Sequence, residues 1–267
     1  MIKVIIAGAA GRMGGRLVAL MQESAALTLV AAVEKKGHVA VGEDAGELAG
    51  CSSSLITIED DLAACIGKGE VIIDFSSPAA TLEHMRVAAK HRTAMVIGTT
   101  GFSSAEMDEL KQLAKQLPCV CSPNMSVGVN LLFKVLAEMT RTLQEDYDIE
   151  VIEAHHRLKK DAPSGTALKM AEVLAKAMGK DLGQTAVYSR KGMIGERKRG
   201  EIGIQTIRAG DIVGDHTVIF GGMGERIELT HRAQSRDTFV RGALRAARWV
   251  VKQPPGLYDM LDVLGLK

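Results

Sequence analysis

The sequence predicts an α/β fold in which a doubly wound N-terminal domain is followed by a smaller α+β domain with an open mixed sheet. Three observations lead to this prediction. In the first half, short apolar runs rich in β-branched residues alternate with amphipathic stretches, as in a parallel sheet covered on both faces. A glycine-rich turn follows the first apolar run. The pattern changes after residue 124, and in residues 201–233 short strand-like runs are separated by glycines, which favours an antiparallel or mixed sheet.

The elements of the first half follow in order from these runs. Strands are predicted at residues 2–7, 27–33, 55–58, 71–75, 94–97 and 119–121. Helices are predicted between them at residues 11–24, 79–91 and 104–116, and Pro118 ends the last of these. Right-handed crossovers between parallel strands would then give a doubly wound, Rossmann-type sheet.

The second half has fewer and less regular signals. Helices are predicted at residues 130–145, 164–178 and 238–251, and a strand at residues 148–154. Ser164 follows Pro163 and is the candidate N-cap of the middle helix. Residues 201–233 alternate short strands with glycine turns, and Pro254 and Pro255 end the last helix.

Charge and cysteine content limit the classes of function. Lys plus Arg number 33 and Asp plus Glu 32, so the charge gives no reason to expect nucleic acid or an anionic membrane as a partner. No apolar run approaches membrane-spanning length, and the N-terminal residues do not form a targeting signal. The four cysteines have no metal-type spacing, so we expect no metal site and reduced thiols in the cytoplasm.

The glycine-rich turn is the strongest local motif. Gly8, Gly11 and Gly14 are spaced as G-x-x-G-x-x-G, with Ala10 where the usual dinucleotide motif has its second glycine. Glycines here would allow a pyrophosphate to approach backbone N–H groups at a helix N-terminus. Such turns also occur for packing reasons alone, but the strand–turn–helix context favours dinucleotide binding.

Residues at the end of the second predicted strand bear on the choice of nucleotide. Glu34 lies where an acidic residue would meet the adenine ribose hydroxyls. Lys35, Lys36 and Arg12 are cations that could receive a 2′-phosphate, so both NADH and NADPH are permitted. The alternative is that residues 34–36 form an ordinary solvated turn.

Two further loops follow predicted strands of the same sheet. They comprise residues 98–101 and 122–125. In a doubly wound sheet, ligands bind beyond the carboxyl ends of the strands, so either loop could line the nicotinamide end of a cofactor. Each would otherwise pass as an ordinary connection.

A basic segment at residues 153–166 is the second informative stretch. It contains His155, His156 and Lys159, and then Gly165 and Thr166 at a predicted helix N-terminus. Such groups suit a carboxylate-bearing substrate and proton exchange. Surface cations or a metal site are alternative readings, although no companion ligand has metal spacing. Adjacent histidines in a strand point to opposite faces, so both could face one site only if the strand ends there.

Together these segments resemble the dihydrodipicolinate (4-hydroxy-tetrahydrodipicolinate) reductase family over essentially the whole chain. The resemblance rests on EAHHRLKKDAPSGTAL at 153–168 and, in family order, on GAAGRMG, IGTTGF, PNMSVGVN, RAGDIVGDH and THRAQSRDTF. It implies a homotetramer that uses NADH or NADPH to reduce a small dicarboxylate, (2S,4S)-4-hydroxy-2,3,4,5-tetrahydrodipicolinate, to tetrahydrodipicolinate with loss of water, in lysine biosynthesis by the diaminopimelate pathway. Residues 1–126 and 236–267 would form the dinucleotide-binding domain, and residues 127–235 the substrate-binding and tetramerisation domain.

The resemblance also implies roles for individual residues. His155 matches the family's proton donor and acceptor, Lys159 its proton donor, and His156, Gly165 and Thr166 its contacts to the substrate carboxylates. Cofactor contacts are implied for Gly8, Ala9, Ala10, Gly11, Arg12, Met13, Glu34, Lys35, Gly98, Thr99, Thr100, Ser122, Pro123, Asn124 and Met125. Leu158 departs from the histidine that the family often has there, and Lys160 has no assigned role.

Two other classes of function compete with this interpretation. One is an amino-acid or sugar-derivative dehydrogenase with a similar nucleotide domain, which would not need the basic segment. The other is a redox-sensing or ligand-binding protein that binds the nucleotide without turnover. The intact basic segment argues against both.

Overall fold

All 267 residues are described by the structure, a computed structural model, and they divide into two compact units. Unit 1 consists of Met1–Val127 together with Arg236–Lys267, and unit 2 of Gly128–Ser235. The assignment of cofactor binding to one part and of substrate binding to the other stays a prediction. None of the helices has the length and apolar character that crossing a bilayer requires.

The strands and helices are numbered in chain order. The strands are β1 Ile2–Ala7, β2 Leu27–Val33, β3 Ile58–Glu59, β4 Val71–Asp74, β5 Ala94–Ile97, β6 Pro118–Cys121, β7 Asp148–His155, β8 Ala186–Val187, β9 Ile202–Arg208, β10 Gly214–Gly221, β11 Arg226–Ala233 and β12 Gly256–Tyr258. The α-helices are α1 Arg12–Gln22, α2 Ala45–Leu48, α3 Leu62–Cys65, α4 Pro78–His91, α5 Ser104–Leu113, α6 Val127–Leu143, α7 Gly165–Ala177, α8 Leu182–Thr185, α9 Asp237–Val250 and α10 Met260–Leu264.

Unit 1 is built on a parallel sheet with the order β12-β6-β5-β4-β1-β2-β3. The strand order reverses between β1 and β4, which is the topological switch point of a doubly wound fold. Val4 and Ile6 pack into one core cluster and Ile5 and Ala7 into another, because alternate side chains leave opposite faces of the sheet. The predicted doubly wound sheet is confirmed.

Unit 2 contains a five-stranded sheet with the order β11-β10-β7-β9-β8. β10 is antiparallel to both of its neighbours, whereas β9 is parallel to β7 and β8, so the predicted open mixed sheet is confirmed. Helices α6 and α7 cover one face, where buried residues such as Leu136, Val151 and Phe220 form a single cluster. The carboxyl end of β7 and the amino end of α7 position the charged site described below.

Three details of the sequence interpretation were wrong. The predicted strand at 55–58 is only Ile58–Glu59, because Leu55 has a left-handed backbone with φ +57° that a strand cannot contain. The helix predicted to run to residue 116 ends at Leu113, and Pro118 instead begins β6. After Pro254 and Pro255 the chain forms β12, a short strand that pairs with β6. This strand was not predicted, because no apolar run marks it in the sequence.

Candidate active site

The glycine turn connects β1 to α1 beside the switch point. Gly8 has φ +76°, a backbone conformation that side chains other than glycine rarely adopt. A Cβ added to Gly14 would lie 2.1 Å from the Gly8 carbonyl oxygen, so the close approach of helix and turn requires glycine there. Gly11 precedes the helix, no side chain caps α1, and its first turn contains no acidic residue. The N-terminus of α1 is therefore suited to an anion such as a pyrophosphate.

A cleft of about 630 Å³ opens beside this turn, and we call it the glycine cleft. Its lining residues are Gly8, Ala10, Gly11, Val33, Glu34, Lys35, Lys36, His38, Asp60, Asp61, Leu62, Ala63, Phe75, Ser76, Ser77, Ala80, Glu83, His84 and Val87. The Glu34 carboxylate accepts hydrogen bonds from the backbone N–H groups of Ala10 (3.1 Å) and Lys35 (2.9 Å). These hydrogen bonds hold the glycine turn and the end of β2 together where both line the cleft. Of the predicted cofactor residues, Ala9 is buried within the turn, and Arg12 and Met13 are the first two residues of α1.

The opposite wall of the glycine cleft comes from a loop that the sequence interpretation missed. Phe75, Ser76 and Ser77 follow β4, the strand next to β1 at the switch point. The fully buried carboxylate of Asp74 accepts a hydrogen bond from the Ser76 N–H at 2.9 Å and contacts Nδ1 of His84 at 2.8 Å. The rule that ligands bind beyond the carboxyl ends of strands applies equally to this loop and could have identified it.

The two other predicted cofactor loops lie at the carboxyl ends of neighbouring strands but do not line the glycine cleft. A Cβ on Gly98 would come within 2.1 Å of the Phe75 ring, and the Thr99 hydroxyl accepts a hydrogen bond from the Ser76 N–H at 3.1 Å. Gly98 and Thr99 therefore contact Phe75 and Ser76, which line the cleft, without lining it themselves. The segment 122–125 follows β6, where the Ser122 hydroxyl donates to the Asn124 carbonyl oxygen at 2.9 Å. The roles of Thr100 and of residues 122–125 toward a cofactor stay predictions.

In unit 2, the buried face of β7 changes from apolar to charged at its carboxyl end. Ile149, Val151, Glu153 and His155 alternate along the strand and are all buried. The carboxylate of Glu153 is fully buried and accepts five hydrogen bonds. The donors are Nη1 and Nη2 of Arg208 (2.7 and 2.8 Å), the Ser164 N–H (2.9 Å), the Thr206 hydroxyl (3.3 Å) and Nδ1 of His155 (2.6 Å).

These contacts determine the ionisation of Glu153. Burial alone raises the pKa of its carboxyl, but the hydrogen bonds from Arg208, His155 and Ser164 outweigh burial and lower that pKa to about 2. Glu153 is therefore a carboxylate near neutral pH, and a carboxylate can only accept hydrogen bonds. It follows that Nδ1 of His155 carries a proton and that Nε2 is the ring nitrogen left to exchange one.

A second buried histidine adjoins this pair. The rings of His155 and His216 are arranged edge to face with centroids 5.1 Å apart, and Nε2 of His216 lies 3.0 Å from the Ser164 hydroxyl. Burial, together with the neighbouring charge of His155, lowers the pKa of His216 to about 3, so His216 is neutral. Burial also lowers the pKa of His155, although its hydrogen bond to Glu153 opposes that shift. We call Glu153, His155, Ser164, Arg208 and His216 the His155 cluster.

The other predicted residues of the basic segment lie around this cluster. β7 ends at His155, so His156 lies just beyond the strand and the opposite-face constraint on adjacent histidines does not apply. Nζ of Lys159 forms an ion pair with Asp161 at 2.9 Å. Gly165 and Thr166 are the first two residues of α7, which Ser164 caps by accepting a hydrogen bond from the Ala167 N–H at 3.1 Å.

The sequence interpretation gave no role to Glu153, Arg208 or His216. The period of two along β7 would have placed Glu153 on the same face as His155, so that signal was present. Arg208 and His216 are the first and last residues of the RAGDIVGDH motif, but the motif gave them no role, because only the sheet register brings β9 and β10 beside β7.

Comparison with known proteins identifies the family. Residues 2–125 match the family described as dihydrodipicolinate reductase, N-terminus, and residues 128–264 match dihydrodipicolinate reductase, C-terminus. The chain belongs to the dihydrodipicolinate reductase family. The predicted family and the predicted enzyme class are thereby confirmed, and the chain is a pyridine-nucleotide-dependent reductase.

Relatives within the dihydrodipicolinate reductase family extend over the full chain. The 4-hydroxy-tetrahydrodipicolinate reductase of Syntrophus aciditrophicus (strain SB) is 57% identical over 100% of both chains. That of Syntrophobacter fumaroxidans (strain DSM 10017 / MPOB) is 54% identical, again over 100% of both chains. A solved structure of dipicolinate-bound dihydrodipicolinate reductase from Paenisporosarcina sp. TG-14 is 26% identical, covers 98% of both chains and has a TM-score of 0.78.

Proposed function

We propose that this dihydrodipicolinate reductase catalyses the NADH- or NADPH-dependent reduction of (2S,4S)-4-hydroxy-2,3,4,5-tetrahydrodipicolinate to tetrahydrodipicolinate with loss of water, in the diaminopimelate route to lysine. The observation that carries this proposal is the His155 cluster. In it a buried carboxylate is hydrogen-bonded to His155, a residue that can donate a proton, beside the N-terminus of α7. Full-length relatives more than half identical to this chain bear the name of this reaction.

The glycine cleft fits a dinucleotide. Its turn leaves no room for a Cβ at Gly14, and the first turn of α1 has neither a side-chain cap nor an acidic residue. The N–H groups of the turn at residues 8–13 would hold the pyrophosphate, and Glu34 would accept hydrogen bonds from the adenine ribose hydroxyls. Lys35 and Lys36 line the same cleft and would attract a 2′-phosphate. We therefore propose that both nucleotides are accepted; the bound nucleotide supplies a hydride.

The basic segment fits a dicarboxylate. The N–H groups of Gly165 and Thr166 open α7, and an anion is stabilised at a helix N-terminus. His156 would contact a carboxylate from the end of β7. Addition of a hydride to an unsaturated ring leaves a negative charge that one proton neutralises, and His155 and Lys159 are the residues that would supply it.

We also propose that the enzyme is a cytoplasmic homotetramer assembled through the unit 2 sheet. The face opposite α6 and α7 carries the apolar residues Ile152, Ile207 and Ile219, and Ile207 is 47% exposed. Light scattering should give about four times the chain mass of 28.5 kDa. A mass of one chain at assay concentration would contradict the tetramer.

A coupled assay tests the proposed reaction. Dihydrodipicolinate synthase generates the unstable substrate from pyruvate and aspartate semialdehyde, and NADH and NADPH are offered in parallel. We expect nucleotide oxidation that requires the synthase, and the two rates rank the cofactors. No oxidation by a protein that binds the nucleotide would refute the proposed substrate.

A further inference from the structure

We propose that Glu153 is a positioning residue for proton transfer, which holds His155 in the tautomer that carries its proton on Nδ1 and so presents Nε2 to the substrate. The kinetic part of this inference rests on the proposed function. The tautomer does not, because it follows from the contacts of Glu153 alone.

The place of Glu153 in the sheet argues against a purely structural role. Ile149 and Val151 occupy the two preceding positions on the same buried face, and an apolar residue would continue that core. Burying a carboxylate is strongly unfavourable unless it is paired and hydrogen-bonded. One of the groups paired with the Glu153 carboxylate is a histidine. The same carboxylate oxygen, Oε2, accepts hydrogen bonds from Nδ1 of His155 and from Nη1 of Arg208.

The register of three strands builds the surroundings of His155. Thr206 on β9 and His216 on β10 lie directly opposite Glu153, and Arg208 lies opposite His155. Gly214 on β10 leaves room for the ring, since a Cβ there would lie 3.0 Å from Nε2 of His155. Residues of β9 and β10, the two strands that flank β7, therefore surround the His155 ring.

The charged and titratable groups that face His155 come from four elements. They are Glu153 on β7, Lys159 in the turn that follows, Arg208 on β9 and His216 on β10. Glu153 is the only anion among them, so it alone favours the imidazolium form of His155, while the two cations oppose that form. Arg208 acts indirectly, because it keeps Glu153 ionised.

Proton transfer follows the departure of the substrate's 4-hydroxyl and one ring proton as water, which leaves an unsaturated ring. The bound nucleotide would supply a hydride to this unsaturated ring, which would thereby gain a negative charge. The Nε2–H bond of the His155 imidazolium breaks, the proton passes to that anion, and His155 becomes neutral with its remaining proton on Nδ1. Water then returns a proton to Nε2. Throughout the cycle the Nδ1–H group of His155 donates a hydrogen bond to Glu153, as a histidine does to its orienting carboxylate in other acid–base sites.

The variant Glu153→Gln tests the role. The amide oxygen of the introduced glutamine would accept the hydrogen bonds from Arg208 and from the Ser164 N–H, so its NH₂ group would face Nδ1 of His155. Because NH₂ is a donor, Nδ1 would then act as an acceptor and the ring proton would lie on Nε2. In the full-length enzyme we expect kcat to fall by roughly 10²–10⁴-fold, with an unchanged KM for the nucleotide. The limb of the pH profile along which kcat falls with rising pH should move to lower pH, because the His155 imidazolium loses its only neighbouring anion.

Nitrogen-15 NMR tests the tautomer directly. With the signals of His155 assigned by the variant His155→Asn, the spectrum of Glu153→Gln should show the proton on Nε2 instead of Nδ1.

Thr206→Val is the matched control, since it removes one hydrogen bond to the same carboxylate without touching His155. It should keep the Nδ1–H tautomer and the pH profile of the wild type. A folded Glu153→Gln variant with wild-type kcat, tautomer and pH profile would overturn the proposal. If Glu153→Gln does not fold, the wild-type NMR spectrum still decides, because an Nε2–H tautomer there contradicts the inference. Absence of turnover in the wild type would refute the proposed function and leave the tautomer result intact.

Discussion

The glycine cleft of unit 1 and the His155 cluster of unit 2 are built by different means. The cleft depends on backbone: a positive φ at Gly8, a contact at Gly14 that excludes a side chain, and the uncapped start of α1. The cluster depends on buried ionisable side chains, chiefly Glu153 and His155. We infer that the first site is sensitive to added atoms and the second to changes in charge and protonation. Substitutions should therefore separate nucleotide affinity from turnover.

The largest expected effect lies near the His155 cluster. Lys159→Ala should lower kcat in the coupled assay by roughly 10²–10⁴-fold, because it removes a proposed proton donor. The affinity for the nucleotide, measured by fluorescence titration, should stay within about twofold of wild type, because we propose that the nucleotide binds to unit 1.

Lys160→Ala is the control for Lys159→Ala, since it deletes the neighbouring, exposed cation. It should leave kcat near the wild-type value. Equal losses in both variants would show that only the net positive charge of the segment matters. Loss of nucleotide affinity with normal turnover at saturation would contradict the role of Lys159.

The next effect concerns the glycine cleft. Gly14→Ala places a Cβ 2.1 Å from the Gly8 carbonyl oxygen, so the turn must shift. We expect the nucleotide Kd to rise by about 10- to 100-fold, which is about 1.4–2.7 kcal/mol of binding free energy. Isothermal titration calorimetry measures this directly.

Gly15→Ala provides a matched control in the same helix. A Cβ there meets only the Cα of Ala49, at 4.0 Å. Replacing a helical glycine with alanine should raise the free energy of unfolding by about 1 kcal/mol without changing the Kd. If both variants bind the nucleotide like the wild type, the turn at Gly14 is not part of the binding site.

The contrast between the two sites also explains what the sequence could predict. Glycines at fixed spacing after an apolar run report a backbone geometry, so Gly8, Gly11 and the doubly wound sheet were predictable from local sequence. The partners of His155 were not, since Arg208 and His216 lie on strands more than fifty residues away and meet Glu153 only through sheet register. β12 was missed for a related reason, because three residues carry no periodic signal and the neighbouring strand defines them.

A third effect concerns the contribution of His216, in the His155 cluster, to stability in acid. His216 has a folded-state pKa of about 3 and an ordinary value of 6.5, so below pH 6.5 the unfolded chain takes up a proton that the folded chain does not. The free energy of unfolding should therefore fall as the pH drops from 6.5, by on the order of 2 kcal/mol at pH 4.5. Urea unfolding at several pH values measures it.

His216→Phe retains an aromatic ring and removes the titrating group. Its free energy of unfolding should fall less steeply than that of the wild type across the same pH range, even if its stability at pH 7 is lower. Parallel curves for the two proteins would show that His216 is not the group responsible.

The smallest effect distinguishes the two nucleotides within the glycine cleft. Glu34→Gln removes a negative charge that favours free ribose hydroxyls and repels a 2′-phosphate. The ratio of kcat/KM for NADPH to that for NADH should rise by about five- to tenfold, roughly 1 kcal/mol. Lys35→Ala should shift the same ratio in the opposite direction. Unchanged ratios in both variants would remove these residues from nucleotide selection.

Isotope transfer in the coupled assay tests the proposed reaction most directly. The nucleotide carries deuterium at both positions of C4 of its reduced nicotinamide, and the tetrahydrodipicolinate formed is analysed by mass spectrometry. We predict that each product molecule acquires one deuterium from the nucleotide. A product without deuterium, or nucleotide oxidation that does not require the synthase, would contradict hydride transfer to this substrate.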